Sequence, residues 1–240
     1  MAFINSNQTT MLYGTNALAA YLRTVSPSAS VEMLDVTTLA DTAKAFTPGL
    51  EDFTLSIDGL FDTATSAGSI WANITNAINN GSIVATSVAP TGFAVGNSVW
   101  VLPARTINYE VSSAVADVVG FSMSFGAGSP ANVGVSLTDL TTFTSSGNGA
   151  TVDNSSATSN GAIAVLHCTA SSGTTPASVF TIQHSTNGST WTTLQAFTSI
   201  TGTTSEVITI TGTVNRYARV IHTVSGTTPS FTCQISLARL

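Results

Sequence analysis

The sequence has very little charge. Only 8% of its 240 residues are charged, whereas ordinary soluble proteins have about 25%. Six lysines and arginines stand against twelve aspartates and glutamates, so the net charge is −6. Six basic side chains are too few for a dense phosphate-neutralising patch, which argues against nucleic-acid binding by charge attraction. With 43% hydrophobic residues, this composition is typical of a secreted β protein, or of a subunit whose surface is covered by copies of itself.

Long apolar runs are also missing. No segment reaches the roughly 18 consecutive apolar residues that a membrane-spanning helix needs, so we expect no membrane partner. The first residues lack a basic region followed by an apolar core, and we expect no signal peptide. The two cysteines, Cys168 and Cys233, lie far apart in strand-like segments. We expect free, buried thiols, with a disulfide between them as the alternative.

Catalytic and metal-binding motifs are absent from the sequence. It contains no G-x-S-x-G, H-E-x-x-H or C-x-x-C and no glycine-rich phosphate loop. The three histidines, His167, His184 and His222, share the second half of the chain with both cysteines, which raises the question of a zinc site. Only His167 and Cys168 are adjacent, and neighbouring side chains of a strand point to opposite faces. We predict no enzyme activity, no metal and no cofactor.

The rest of the sequence favours strands and turns. Segments rich in β-branched and aromatic residues, bounded by glycine and proline, occur at 82–88, 95–105, 107–111, 118–125, 162–170, 178–185, 191–197, 206–211, 217–224 and 231–238. Helical spacing of apolar residues is found at 15–22 and at 69–80. We therefore predict a mainly β protein.

The composition changes near residue 145. A connection rich in serine, glycine and asparagine covers residues 146–161, and short strands then follow at the spacing typical of an immunoglobulin-like sandwich. We predict two domains joined by this linker. Residues 1–145 form a β-sandwich or barrel with one flanking helix and a long extended arm, and residues 162–240 form an immunoglobulin-like β-sandwich.

Residues 34–62 are the most informative stretch. Pro48 and Gly49 predict a turn, and the strand that follows alternates between two faces. One face carries Phe53, Leu55 and Ile57, and the other carries Thr54, Ser56 and Asp58. Against one base, Lys44, the stretch and its upstream neighbour hold the acids Glu32, Asp35, Asp41, Glu51, Asp52, Asp58 and Asp62.

The same stretch resembles the major tail tube proteins of long-tailed bacteriophages. In that family a DVTT-like arm, a PGL-like turn and a D-x-x-x-S-x-x-G-x-x-D strand follow one another, as they do here between Asp35 and Asp62. Weaker similarities cover nearly the whole chain, at 13–22, at the Trp71 helix, at 152–167 and at 216–239.

The resemblance implies a structural, non-enzymatic subunit of the virion tail. Members of the family form hexameric rings whose inner strands join into one β-barrel, and the rings stack into a tube that passes genomic DNA without specific binding. It further implies contacts with the tape measure protein and with tail terminator or tip proteins, and places residues 162–240 outside the tube. The low charge then follows from extensive contacts between copies, which deplete charged residues.

Two sets of site residues are expected on this basis. The arm, residues 29–50, reaches a neighbouring subunit or the next ring, with Asp35, Thr37, Thr38, Leu39, Phe46 and Pro48 as the contact candidates. A channel for DNA has to hold a polyanion without binding it, which carboxylates achieve by repulsion. We name Glu51, Asp52, Asp58 and Asp62 as channel-lining candidates, with a merely solvated face as the alternative.

A second class of function also fits part of the chain. Immunoglobulin-like sandwiches with Ser/Thr-rich loops often bind surfaces, so the alternative is a carbohydrate- or surface-binding module of a phage adhesin or tail-tip protein. The arm separates the two hypotheses, because a binding module has no use for it.

Overall fold

The computed structural model describes residues 6–61, 74–75, 78–115, 117–128 and 131–240. Strands dominate these residues, which confirms the prediction of a mainly β fold. In chain order the strands are β1 (Thr10–Tyr13), β2 (Asn16–Ala17), β3 (Leu22–Asp35), β4 (Phe46–Leu60), β5 (Thr86–Ala89), β6 (Ser98–Val101), β7 (Ala104–Ser112), β8 (Gly120–Ala127), β9 (Asn132–Ser136), β10 (Thr141–Phe143), β11 (Gly147–Asn148), β12 (Val152–Asp153), β13 (Ala162–Ser185), β14 (Thr192–Ala196), β15 (Thr204–Ile210) and β16 (Tyr217–Arg239).

The described strands form two sheets. The larger has the order β14-β13-β16-β9-β6-β5-β1-β2, with β15 also paired to β13 and with β10, β11 and β12 also paired to β16. The smaller has the order β3-β4-β8-β7. They belong to two compact units, one from the described residues within 1–21, 82–104 and 128–240, the other from those within 22–81 and 105–127.

The long strands β13 and β16 form the centre of the larger sheet. They pair antiparallel from Ala162↔Arg239 to Ser185↔Tyr217. Every residue of β13 from 162 to 168 is buried. A strand that is buried on both faces needs apolar residues at nearly every position. The sequence AIAVLHC at 162–168 has this composition.

Both long strands contain the same short sequence. Ser-Gly-Thr-Thr-Pro occurs at 172–176 and again at 225–229, and Phe-Thr-x-Gln follows at 180–183 and at 231–234. The first copy lies in β13 and the second in β16, so the antiparallel pairing sets the two copies opposite each other. The ladder therefore has a local two-fold symmetry at this point.

The backbone conformation follows the same symmetry. Thr174 pairs with Thr227 at the centre of the repeat, with register irregularities on both sides of Thr174. Gly173 and Gly226 have φ values of 119° and 112°, a region that glycine enters without a steric penalty. A Cβ on either glycine would lie 2.8 or 2.7 Å from a backbone oxygen of the facing strand. The two strands can approach this closely only because both positions lack a side chain.

The ladder contributes to one core from both sides of the repeat. Leu166 and Cys168, before the repeat, share a hydrophobic core with Phe180 and Ile182, after it. The other face of β13 contributes to a second core, in which Ile163 packs with residues of β1, β5 and β6. Both cores lie in the same compact unit.

Three sequence predictions differ from the structure. Residues 15–22 do not form a helix, because Asn16–Ala17 is a strand that pairs with β1 after a tight turn at Gly14, where φ is 59°. The predicted linker at 146–161 contains β11 and β12, which both pair with β16. The structure also divides the chain differently from a cut near residue 145, because β9 and β10 pair with β16 as well.

The structure describes only part of the helix predicted at 69–80. Residues 74–75 and 78–80 are helical. The remaining residues of this prediction, including Trp71, lie outside the described residues.

A buried histidine ties the N-terminal strands to β13. The Nδ1 atom of His167 lies 2.8 Å from the carbonyl oxygen of Gly14, and its Nε2 atom lies 2.9 Å from Oγ of Ser87. A carbonyl can only accept, so Nδ1 carries the proton and Nε2 accepts from the serine hydroxyl. Burial lowers the pKa of His167 to about 4, although the hydrogen bond to Gly14 acts in the opposite direction.

Replacing Gly173 or Gly226 by alanine should lower the free energy of unfolding by about 2 to 4 kcal/mol, because the new Cβ would meet a backbone oxygen in a strained φ region. The local symmetry predicts similar losses at the two positions. Gly212→Ala is the matched control, since Gly212 has a φ of 87° with open space around the added Cβ, and its loss should be about 1 kcal/mol. Urea unfolding measures all three, and equal losses for G173A and G212A would contradict the close approach.

The stability of the protein should depend on pH through His167. Between pH 6.5 and about 4 the unfolded chain binds a proton that the folded chain does not, so stability should fall by about 3 kcal/mol as the pH is lowered through this window. His167→Gln should remove most of this slope. His184→Gln is the control, because His184 is only partly buried. Denaturant unfolding at a series of pH values tests this, and an unchanged slope in H167Q would contradict it.

Candidate functional site

Strands β3 and β4 of the smaller sheet form a hairpin that extends beyond the other two strands. The pairing of β8 with β4 covers residues 54–60 of β4, whereas the pairing of β3 with β4 continues to Phe46. Residues 46–53 of β4 thus extend past β8 by about 25 Å at 3.3 Å per residue. The arm, residues 29–50, consists of this two-stranded extension and the loop at its end.

The arm is a hairpin and not a single extended segment. Pro48 pairs with Met33 inside the ladder, so the turn predicted at Pro48 and Gly49 is wrong. The chain reverses instead in residues 36–45. A proline is tolerated at position 48 because, among the described strands, only β3 pairs with this part of β4. A Cβ on the next residue, Gly49, would lie 3.3 Å from the carbonyl oxygen of Glu32.

The loop of the arm is held together by its own polar side chains. Asp35 accepts a hydrogen bond from the backbone N–H of Thr37 (2.9 Å), and Asp41 accepts one from the backbone N–H of Thr38 (2.7 Å). The hydroxyls of the two threonines donate to the same two carboxylates, and these bonds lower the pKa of both aspartates. The loop therefore has a defined shape, and three of the predicted contact residues, Asp35, Thr37 and Thr38, serve to build it.

Apolar side chains line the arm and are exposed. Leu39 at the loop is 109% exposed and Leu50 is 81% exposed. The exposed large apolar residues of the arm are Val31, Met33, Leu34, Val36, Leu39, Phe46 and Leu50. Monomeric soluble proteins rarely leave so many neighbouring apolar side chains in water, and such patches mark interaction sites.

The four-stranded part of the sheet has one apolar and one polar face. Leu55 and Ile57 of β4 are buried, and between them Ser56 is exposed, which confirms the predicted alternation. The buried face continues into β8 with Phe121, Met123 and Phe125. The polar face is rich in hydroxyls, which come from Thr24, Ser26 and Ser28 of β3, Thr54 and Ser56 of β4, and Ser122 and Ser124 of β8.

The predicted channel acids do not all lie on this polar face. Asp52 and Asp58 are in phase with Thr54 and Ser56, and both are exposed. Glu51 is also exposed, but the strand alternation directs it to the opposite face. Asp62 lies outside the described residues. The face is thus a hydroxyl surface with separate carboxylates and not a wall of acids.

A third acid on the polar face is Glu110 of β7. The ring of Tyr109 stacks on Phe121, with centroids 6.1 Å apart, so Tyr109 belongs to the buried face. The next residue, Glu110, therefore points to the polar face and is exposed. Sequence reasoning missed it because it considered only the acids between residues 32 and 62.

The two outermost strands of the smaller sheet run in opposite directions. β4 is antiparallel to both β3 and β8. β7 and β8 are joined by residues 113–119, which are too few for the crossover that a parallel pair needs. The direction therefore alternates across the sheet from β3 to β7, and a second copy placed edge to edge would continue the alternation.

The histidines and cysteines do not form a site. Within the described ranges, no group of three or more His, Cys, Asp or Glu residues is placed to hold a metal ion. His167 binds Gly14 and Ser87, while its neighbour Cys168 points into the core on the other side of β13. In the described part of the chain, no helix is long and apolar enough to cross a membrane.

No protein-family model and no curated protein matches the chain. Among solved structures, it is similar to a chain in the virion of a native gene transfer agent particle, with 14% identity and a TM-score of 0.46 over 55% of this chain and 98% of that one. The SPP1 tail tube gives 16% identity and a TM-score of 0.44 over 52% and 76%. The SPP1 Dit protein gives 15% identity and a TM-score of 0.35 over 96% and 98%. These TM-scores are too low to establish a shared fold.

The apolar character of the arm is the feature that sequence reasoning missed. The signal was present in the apolar residues Val31, Met33, Leu34 and Val36, which lie next to the acids of this segment. It became visible only when the pairing of β3 with β4 left both strands of the arm outside the core.

Proposed function

We propose that the chain is a structural subunit that assembles with copies of itself into stacked rings, forming a phage tail tube through which DNA passes. The observation that carries this proposal is the arm, a structured hairpin with apolar side chains exposed along its length. An ordered hairpin of this kind gains stability when its apolar residues are buried against a partner. A second copy of the chain is the partner, since a tube needs the same contact in every ring.

The smaller sheet supplies a second contact between copies. Its outermost strands, β3 and β7, have opposite directions, so β3 of one copy continues the antiparallel order next to β7 of another. Repetition of this step around an axis closes a barrel and leaves no exposed sheet edge. A ring of six copies is the number that the resemblance to tail tube proteins implies.

The polar face of that sheet is the proposed channel surface. The opposite face is buried, so the hydroxyl-rich face is the one left for water. Its described carboxylates are Asp52, Asp58 and Glu110, and the positions named above include no lysine or arginine. Hydroxyls and isolated carboxylates carry no positive charge that could neutralise DNA phosphates, so a passing DNA strand is not retained.

Further contacts expected from the resemblance remain predictions. They are the tape measure protein, the tail terminator or tip proteins, and an outward position for residues 162–240. A location in the virion tail follows from the same proposal.

Removing the arm should abolish tube formation without unfolding the subunit. Val31 and Glu51 are cross-strand partners, so residues 32–50 can be replaced by Asn-Gly, which closes a two-residue hairpin turn. Negative-stain electron microscopy of the concentrated wild-type protein should show rings or hollow tubes. The shortened variant should stay monomeric in sedimentation, with an unchanged circular dichroism spectrum.

A milder variant separates the arm's apolar contacts from its length. Leu39→Ser with Leu50→Ser should weaken assembly strongly, because both leucines are exposed in the subunit and buried in the tube. Leu140→Ser is the matched control, since Leu140 is also exposed but lies outside the arm. Normal tubes from the arm variants would contradict the assignment, and a monomeric wild-type protein that binds glycans would favour the surface-binding alternative.

Reversing the charge of the polar face should make assembled tubes retain DNA. Asp52→Lys with Asp58→Lys places two cations per subunit on the proposed channel surface, and the binding should weaken steeply with salt. Glu51→Lys is the matched control, because Glu51 is adjacent in the strand but on the opposite face. The measurement is DNA retained by sedimented tubes at several salt concentrations. Equal retention by the control and the double variant would contradict the channel assignment.

A further inference from the structure

The two cysteines, 65 positions apart in the sequence, are neighbours across the central ladder. Cys168 of β13 and Cys233 of β16 are directly paired residues. Both are fully buried and both belong to the larger hydrophobic core. Both are free thiols in this structure.

Their spacing is the spacing that a disulfide needs. Directly opposite residues of an antiparallel pair have Cα atoms about 4.5 or 5.5 Å apart, and disulfides join Cα atoms about 4.4 to 6.8 Å apart. Both side chains point into the same core, so the sulfur atoms lie on one side of the sheet. The neighbouring thiol of Cys233 lowers the pKa of Cys168.

We propose that Cys168 and Cys233 are a disulfide-forming pair that covalently joins β13 to β16 when the chain meets an oxidant. The reaction is an exchange with a small disulfide such as oxidised glutathione. The thiolate of Cys168 attacks one glutathione sulfur and releases the other glutathione as a thiolate. The thiolate of Cys233 then attacks Cys168 in the mixed disulfide and releases the second glutathione. Two protons go to solvent, and one disulfide is reduced as the new one forms.

Burial controls when this reaction occurs. Inert behaviour is typical of cysteines in a closed core, so the exchange takes place before the ladder closes or when its end opens. The product joins two strands whose pairing is already fixed, and it closes a loop over residues 169–232. A cross-link of this kind restricts the unfolded chain and therefore stabilises the folded one.

The test is oxidation of the full chain in a glutathione buffer, followed by alkylation of the remaining thiols in denaturant. Both thiols should be lost together, with a mass lower by two hydrogen atoms and a peptide map that links Cys168 to Cys233. The melting temperature should rise by about 5 to 15 °C, and a reductant should reverse the rise. Cys168→Ala and Cys233→Ala should show no such rise.

The wild-type protein alone decides the question if an alanine variant fails to fold, because the peptide map and the reversible shift need no variant. The proposal is overturned if both thiols stay free during refolding in a buffer that oxidises a control dithiol. It is equally overturned if the cysteines link only different chains, or if the internal disulfide leaves the melting temperature unchanged or lower. None of these outcomes depends on whether the chain forms tubes.

Discussion

The backbone pairing of β13 with β16 is the constraint on which the larger sheet depends. An irregularity in one of two paired strands has to be matched in the other if the pairing is to continue on both sides of it. The repeated sequence at 172–176 and 225–229 meets this requirement by setting the same conformation opposite itself, and the pairing runs on to both ends of the ladder. The paired strands contribute one face to the larger core and the other face to a second core.

The chemically reactive side chains of this protein are used inside its fold. His167 stays neutral because burial lowers its pKa, and it holds the turn at Gly14 and the strand at Ser87 against β13. The cysteines fill the core on the other face of the same ladder. His167 and the two cysteines, which suggest a metal site in the sequence, thus lie on opposite faces of one sheet.

The proposed assembly gives a reason for the low charge of the chain. Hydroxyls cover the polar face of the smaller sheet, and apolar side chains cover the arm. A freely diffusing monomer with such surfaces would need more charge to prevent association between its molecules. The same composition is suited to a subunit whose arm and sheet edges contact further copies, and whose remaining face has to be wetted without attracting a polyanion.

The sequence by itself determined the β class and the two faces of residues 53–58, because a period of two is a local property of a strand. Local signals failed where pairing between distant residues decided the result. Pro48 and Gly49 read as a turn, yet the ladder with β3 makes them part of a strand. The change in composition predicted a domain boundary near residue 145, but β16 pairs with strands from both sides of that position. The contact between Cys168 and Cys233 likewise exists only in the folded chain, since it depends on a register set by long-range backbone hydrogen bonds and by the cores on either side of it.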